Sequence, residues 1–389
     1  MELEYVTTTC PYCGTGCGLN LIAVDGRAVG VAPYHRSPVS RGKLCTRGLH
    51  AAKALTDWRI EKPLINGEAA GWEAALTEAE KLRSYKGGEI AVAVSSRLTN
   101  EAMFLVLKYA RDVLECENIG VVDGGAGTSS ATLDDIPAAD VILAIGDVMK
   151  KLPVTGNRFY RTQKNGGKVF YLGPQSYTAV QADVAVITDE YTELPAELAD
   201  AVTAAKNPVV VYSAGDTAAA AIAAGLTAKT AVLYETNNGR GAAAMGLGRF
   251  VLGENTKALL IITETPETES GIYADLLPAF AQLELIVAVA SNATSVSDAA
   301  NVVLPAAALN EYPGSVTSWE GRVQRVRPVT VISEEVKCPC EIFSLLSGNT
   351  YAWEEKAAIF AEIAAAYPAY ADITYADIEK PEGVFLKEA

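Results

Sequence analysis

Short runs of consecutive apolar residues recur along most of this chain, separated by stretches in which apolar positions fall three and four apart. EIAVAVSS (89–96), IGVVD (119–123), DVILAIGD (140–147), GGKVFYLG (166–173), NPVVVYSAG (207–215), ALLIITET (258–265) and LELIVAVAS (283–291) each read as a buried parallel strand. Between them EAMFLVLKYARDVL (101–114) and ELADAVTAAK (197–206) carry helical spacing. Strands alternating with helices predict an α/β protein with doubly wound parallel sheets, whose ligands sit outside the C-terminal strand ends. The first sixty residues differ, being rich in Cys, Gly and short β-like runs. LNLIAVDGRAVGVAP (19–33) alternates on both sides of Asp25-Gly26, which predicts a tight hairpin. The tail holds one amphipathic helix, WEEKAAIFAEIAAAY (353–367), before an acidic, Pro-containing end.

Length changes this picture little: 389 residues exceed one hydrophobic core and imply two or three domains. No run of 18 apolar residues predicts a membrane span. The opening MELEYVTTTCPYCG has no export signal and no twin arginine, so a cytoplasmic location is expected. A net charge of −15 argues against nucleic acid or an anionic membrane as partner, and for other protein subunits or small molecules.

The seven cysteines change it more. Four fall in the first 45 residues, Cys116 stands alone, and Cys338 and Cys340 are near neighbours. An odd, clustered set in a long chain points to metal ligation in a reducing compartment rather than to disulfides. Cys10, Cys13, Cys17 and Cys45 form C-x2-C-x3-C-x27-C, in which three thiolates crowd together and a fourth arrives beyond the hairpin. Four thiolates so arranged suit a [4Fe–4S] cluster, with Gly14, Gly16 and Gly18 letting the backbone bend tightly. The alternatives are structural zinc, which usually takes two separated pairs and often histidine, and unligated buried thiols. Cys116 reads as a buried small apolar residue. Cys338-Pro-Cys340 reads as an incidental exposed pair, the alternative being a metal shared with a partner subunit. No nucleophile–base pair is legible elsewhere, and GGAG (124–127) lacks the rest of a nucleotide-binding fingerprint.

CPYCGTGCGL followed by GKLCTRG resembles the N-terminal domain of the molybdopterin oxidoreductase family, which includes formate dehydrogenase α subunits, the matching subunit of formylmethanofuran dehydrogenase and the large iron–sulfur subunit of complex I. DWRIEKPLI (57–65), SSRLTNEA (95–102), DDIPAADVILAIGD (134–147), GGKVFYLGPQ (166–175), NNGRGAAAMG (237–246) and DAANVVLPAAALNEYPGSVTSWEGRVQRV (298–326) follow in the family's order. The resemblance implies a small N-terminal [4Fe–4S] domain (1–60) and two doubly wound α/β domains on a discontinuous path. The first would comprise 61–135 plus 250–350, the second 136–249, with a C-terminal helix and tail over 351–389. The β-barrel-like domain that caps the pterin dinucleotide in such proteins is not expected within this chain, and in formylmethanofuran dehydrogenase a separate subunit supplies it.

The sequence also departs from the family. Where active formate dehydrogenases place Cys or selenocysteine followed by His, GGAGTSSATLDDIPAADV (124–141) has neither. Leu152-Pro153-Val154 stands for His-Pro-Val, and Gly173-Pro174-Gln175 for Asp-Pro-Arg. Arg47 stands for the lysine that bridges cluster and pterin, keeping the charge but not the compact ammonium. These losses imply a decayed molybdopterin (Mo or W) site in an iron–sulfur electron-transfer subunit whose partners are other iron–sulfur or flavin proteins. The alternative is a catalytic Mo/W-pterin subunit of a formate or formylmethanofuran dehydrogenase. Asn237, Asn238, Arg240, Glu320, Arg322 and Gln324 remain polar, as in the family. Domain-interface hydrogen bonding accounts for them, while Arg47, Asn238, Arg240 and Arg322 are the candidates for contact with a pterin.

Overall fold

The structure, a computed structural model, describes residues 3–263 and 273–387. The chain opens with an antiparallel sheet of β1 (Leu3–Thr9), β2 (Gly18–Val24) and β3 (Arg27–Pro33), in that order. The predicted hairpin joins β2 to β3. Asp25 and Gly26 both take positive φ, 48° and 77°, as a two-residue turn that matches strand twist requires. Strand β1, which the sequence pattern did not predict, pairs with β2 from Leu3↔Val24 to Thr9↔Gly18. The last pair closes the base of the loop that carries the first three cysteines.

The chain then lays down β4 (Leu64–Ile65), β5 (Glu68–Ala69), β6 (Ile90–Val94) and β7 (Ile119–Val121). It crosses to a second sheet made of β8 (Val141–Ile145), β9 (Lys168–Gly173), β10 (Val184–Ile187), β11 (Pro208–Ser213) and β12 (Lys229–Leu233). It returns with β13 (Ala258–Thr263), β14 (Leu285–Ala290) and β15 (Val302–Pro305). The predicted strand 258–265 thus ends, within the described residues, at Thr263. The second sheet is parallel with order β10-β9-β8-β11-β12, and its order reverses direction between β8 and β11. The first has order β5-β4-β15-β14-β13-β6-β7, parallel from β15 to β7. Central strands β6, β13 and β14 are buried at every position, as their unbroken apolar runs require when both faces are covered.

A small antiparallel sheet of β16 (Gly314–Thr317), β17 (Arg322–Val326) and β18 (Val384–Phe385) closes the chain. The predicted tail helix runs from Lys356 to Ala366, and its Ile359, Phe360 and Ile363 join the core of the seven-stranded sheet. No helix among the described residues is long and apolar enough to cross a membrane.

Candidate iron–sulfur site and the adjoining cavity

The loop between β1 and β2 is pinned at both ends and in the middle. Cys10 N–H donates to Cys17 O at 2.8 Å, and Gly14 N–H donates to Tyr234 O at 3.0 Å, just beyond β12. Trp319 N–H donates to Gly14 O at 2.7 Å, and the buried Trp319 ring donates through Nε1 to Thr155 Oγ1 at 3.2 Å. Gly14 is therefore held between two other parts of the fold, and a Cβ there would lie 2.5 Å from Tyr234 O. Gly14→Ala is expected to destabilise the protein by about 1–3 kcal/mol through forced overpacking against backbone. Thermal unfolding of the holoprotein checks this, with the iron content falling alongside.

Cys10, Cys13, Cys17 and Cys45 line one enclosed cavity together with Tyr12, Leu44, Gly48, Pro153 and Val154. The first three cysteines are buried, whereas Cys45 is half-buried and precedes the short helix Thr46–Leu49. Burial pushes the Cys10 thiol far up, and the neighbouring Cys13 adds to this; the Tyr12 N–H and Arg47 act the other way. Burial also raises Cys17 well above the usual thiol range, reinforced by Cys13, Cys10 and Cys45 and opposed by Arg158. Four thiolates in so dry a space repel one another, so their ionised form needs a cationic centre among them. An all-sulfur donor set selects soft metals, chiefly iron–sulfur clusters and zinc.

A single zinc ion draws its ligands to about 2.3 Å, whereas a cluster gives each sulfur its own iron. The four thiols around a cavity therefore fit a cluster better than zinc, and neither His35 nor His50 lines it.

A second, larger cavity of about 610 Å³ lies where the C-terminal ends of β6 and β7 face those of β11 and β12. Open parallel sheets bind ligands at such ends. Arg47, Arg97, Asp123, Thr236 and Arg249 are among its lining residues, which include no Cys and no His. Asp123 is held by Ser96, whose N–H and Oγ donate to its carboxylate at 3.2 and 2.9 Å. Arg97 reaches back to the cysteine loop, donating from Nε to Tyr12 O at 3.4 Å. Arg47 lies two residues beyond Cys45, lines this cavity and donates to Lys151 O, so it stands between the two cavities.

The remaining candidates do not converge on it. Asn238 is fully buried; its Nδ2 donates to Leu98 O at 2.8 Å and its Oδ1 accepts from Thr317 N–H at 2.7 Å. Asn237 donates to Cys10 O, and Gln324 donates to Gly16 O. Arg322 donates to Glu320 at 2.8 Å and lies over the Phe385 ring, while Glu320 also accepts from Leu133 N–H. Arg240 lines a separate, smaller cavity with Trp319 and Thr132. Most of these polar residues thus stitch the cysteine loop and the sheets together.

Leu152-Pro153-Val154 turns away from the larger cavity, with Pro153 and Val154 forming a wall of the cysteine cavity. Cys116 is buried in the seven-stranded core. Cys338 and Cys340 correct the expectation of an exposed pair, because both are buried. Helix Pro339–Leu346 packs against helix Asn100–Lys108, which turns both thiols inward. Arg97, Asp123, Arg249 and Trp319 are the residues here that sequence reasoning missed.

The molybdopterin oxidoreductase Fe4S4 domain matches residues 3–57. An F420-dependent formate dehydrogenase subunit alpha from Methanocaldococcus jannaschii is 36% identical over 206 residues, covering 47% of this chain and 30% of that protein. Formate dehydrogenase H from Escherichia coli is 27% identical over 215 residues, covering 47% of this chain and 30% of its own length. The matched stretch is thus about a third of these relatives. Acetylene hydratase from Pelobacter acetylenicus superposes on 98% of this chain and 74% of its own, with a TM-score of 0.69 at 13% identity. That likeness shows the fold alone, and a shared fold does not fix a reaction. Residues 3–57 thus match the Fe4S4 domain of molybdopterin oxidoreductases, and about half of the chain is similar to formate dehydrogenase α subunits.

Proposed function

We propose that this chain is the iron–sulfur electron-transfer subunit of a multi-subunit oxidoreductase. In this reading a [4Fe–4S] cluster on Cys10, Cys13, Cys17 and Cys45 stands beside a pterin site that has lost its catalytic groups. One observation carries it. Two cavities flank Arg47, one lined by four thiols and the other by neither thiol nor imidazole. The cluster, when bound, takes up and releases one electron at a time. The chain's own residues hold it: the β1–β2 clamp sets the loop, Tyr12 N–H bonds to Cys10, and Leu44, Pro153 and Val154 exclude water. Reduction potential follows from such hydrogen bonds and from solvent exposure.

The larger cavity fits an anion better than a coordinated metal. Arg47, Arg97 and Arg249 suit phosphate. A soft thiolate and an adjacent imidazole, which carbon–hydrogen chemistry at Mo or W would use, are not in its lining, whose proton-accepting groups are the carboxylates of Asp123, Glu235 and Asp275. The three arginines favour the second reading, a pterin-binding catalytic subunit of a formate or formylmethanofuran dehydrogenase whose cap comes from another chain. Relatives named as alpha subunits support partner subunits for this chain too, and we assign those partners to the redox-active iron–sulfur or flavin class. Sheet membership supports domain boundaries near 60, 135 and 250. Seven unpaired cysteines support a reducing compartment.

Metal analysis of the purified complex tests the choice. About four iron atoms per chain without Mo or W is the expected result. Stoichiometric Mo or W on this subunit would sink it in favour of the catalytic reading.

A further inference from the structure

Residues 35–62 form a basic island in an acidic chain, with seven Lys or Arg against two Asp or Glu while the whole protein carries −15. Much of this island wraps the cysteine cavity. Gly48 faces inward, and a Cβ there would lie 3.9 Å from Cys10 Sγ. Helix Thr46–Leu49 and the 3-10 turn Ala51–Leu55 continue as one run that buries Gly48, Ala51, Ala52 and Leu55 against the loop and its sheet. Thr46, Leu49, His50 and Lys53, left outside, recur every three or four positions along that run and so share the opposite face, and exposed Lys43 lies just ahead of it.

That outer face has two features that bear on a partner. Some lysines elsewhere lie against carboxylates, as Lys108 does with Glu362 and Lys257 with Glu89. Lys43 and Lys53 make no ion pair among the described residues, although the protein is acidic. Apolar surface accompanies these free charges: Leu49 is 50% exposed and Trp58 71%. Trp58 also sits at φ 57°, a conformation that bulky residues avoid, fixed by Ala293 N–H donating to its carbonyl at 2.6 Å. An exposed tryptophan on the same segment as these cations matches the aromatic anchor and charged rim of a protein interface.

We propose that the outer face of residues 43–58 docks a small acidic one-electron carrier protein of the ferredoxin kind, which exchanges an electron with the cluster across helix Thr46–Leu49. The proposal rests on the cluster reading above. Charge complementarity selects the partner, because an acidic carrier meets local cations here while the rest of the chain carries a net negative charge. Only the thickness of one helix, about 10 Å with side chains, separates this face from the cysteine cavity. The carrier's reduced cluster loses one electron and this chain's cluster gains it, with no bond made and no proton moved.

An acidic 2[4Fe–4S] ferredoxin serves as the probe, mixed in its reduced form with the oxidised holoprotein in a stopped-flow instrument. The second-order rate constant is expected to fall at least about tenfold in Lys43→Glu/Lys53→Glu and severalfold in Trp58→Ala. The wild-type rate should also fall with added salt above about 0.1 M, where the screening length drops below about 10 Å. Lys206→Glu, at the opposite end of β11 from the facing strand ends, should leave the rate unchanged. Full reduction by dithionite, read as EPR amplitude, should be equal in all four proteins. Rates that the double variant leaves unchanged, or that Lys206→Glu lowers as much, would overturn the docking face alone. A wild-type dimer that Lys43→Glu/Lys53→Glu dissociates would assign the face to a second copy and overturn the proposal. A wild-type holoprotein that gives no EPR signal with dithionite would overturn the relay reading, and the docking with it.

Discussion

Cys13→Ala is expected to take the iron content of the purified protein from about four atoms per chain to below about one, and to abolish the reduced-state EPR signal. The size of the effect follows from the cavity. Cys10, Cys13, Cys17 and Cys45 share one enclosed space, and the cationic centre that offsets their mutual repulsion is the cluster itself. Removing one thiolate leaves an iron without its protein ligand and the other sulfurs without a fixed partner. Metal binding is also folding free energy, so the loop between β1 and β2 should become protease-sensitive in the same variant. Cys116→Ala is the matched control. That thiol donates to Ile90 O at 3.4 Å in the core of the seven-stranded sheet, remote from the cysteine loop, and its loss should leave iron and signal intact. A signal that survived Cys13→Ala would show that the four ligands are wrongly assigned.

The parts of this protein written locally could be read from the sequence. Asp25-Gly26 demands positive φ at two adjacent residues, and the hairpin follows. The cysteine spacing is local too, since three of its members sit within eight residues of one loop. Long apolar runs gave β6, β13 and β14 because a strand covered on both faces has no polar alternation to confuse it. Strand β1 escaped because LEYVTTT ends in three threonines, and its pairing comes from β2 rather than from its own pattern. The larger cavity escaped for a different reason. Arg97, Asp123, Thr236 and Arg249 lie on separate segments and meet only where two sheets face each other, so no spacing records them. Cys338 and Cys340 were misjudged because KCPCE has a charge on either side; Lys337 and Glu341 satisfy each other at 2.6 Å and leave the thiols to the core.

Glu311→Ala is expected to destabilise the protein by about 3–5 kcal/mol, because it strands a cation inside the fold. Arg59 lies at the end of the cysteine domain and Glu311 follows β15, so this pair ties that domain to the return of the first α/β sheet. Their side chains are 11% and 6% exposed and meet at 2.5 Å. Glu311 also accepts from Ala308 N–H at 2.8 Å and from Thr330 Oγ1 at 3.2 Å. Even so, burial raises its carboxyl above 4.5, against the pull of Arg59, Ala308 and Thr330. The native state therefore binds more protons here than the unfolded chain does. Stability from this site is full below pH 4.5 and is lost as pH rises through the elevated folded value. The pair thus fixes geometry more than it adds net stability. Arg59→Met/Glu311→Leu should recover most of what Glu311→Ala loses, since it removes the stranded charge as well as its partner. Chemical denaturation of the three holoproteins measures the difference, and a double variant as unstable as the single one would show that the ion pair is a net stabiliser after all.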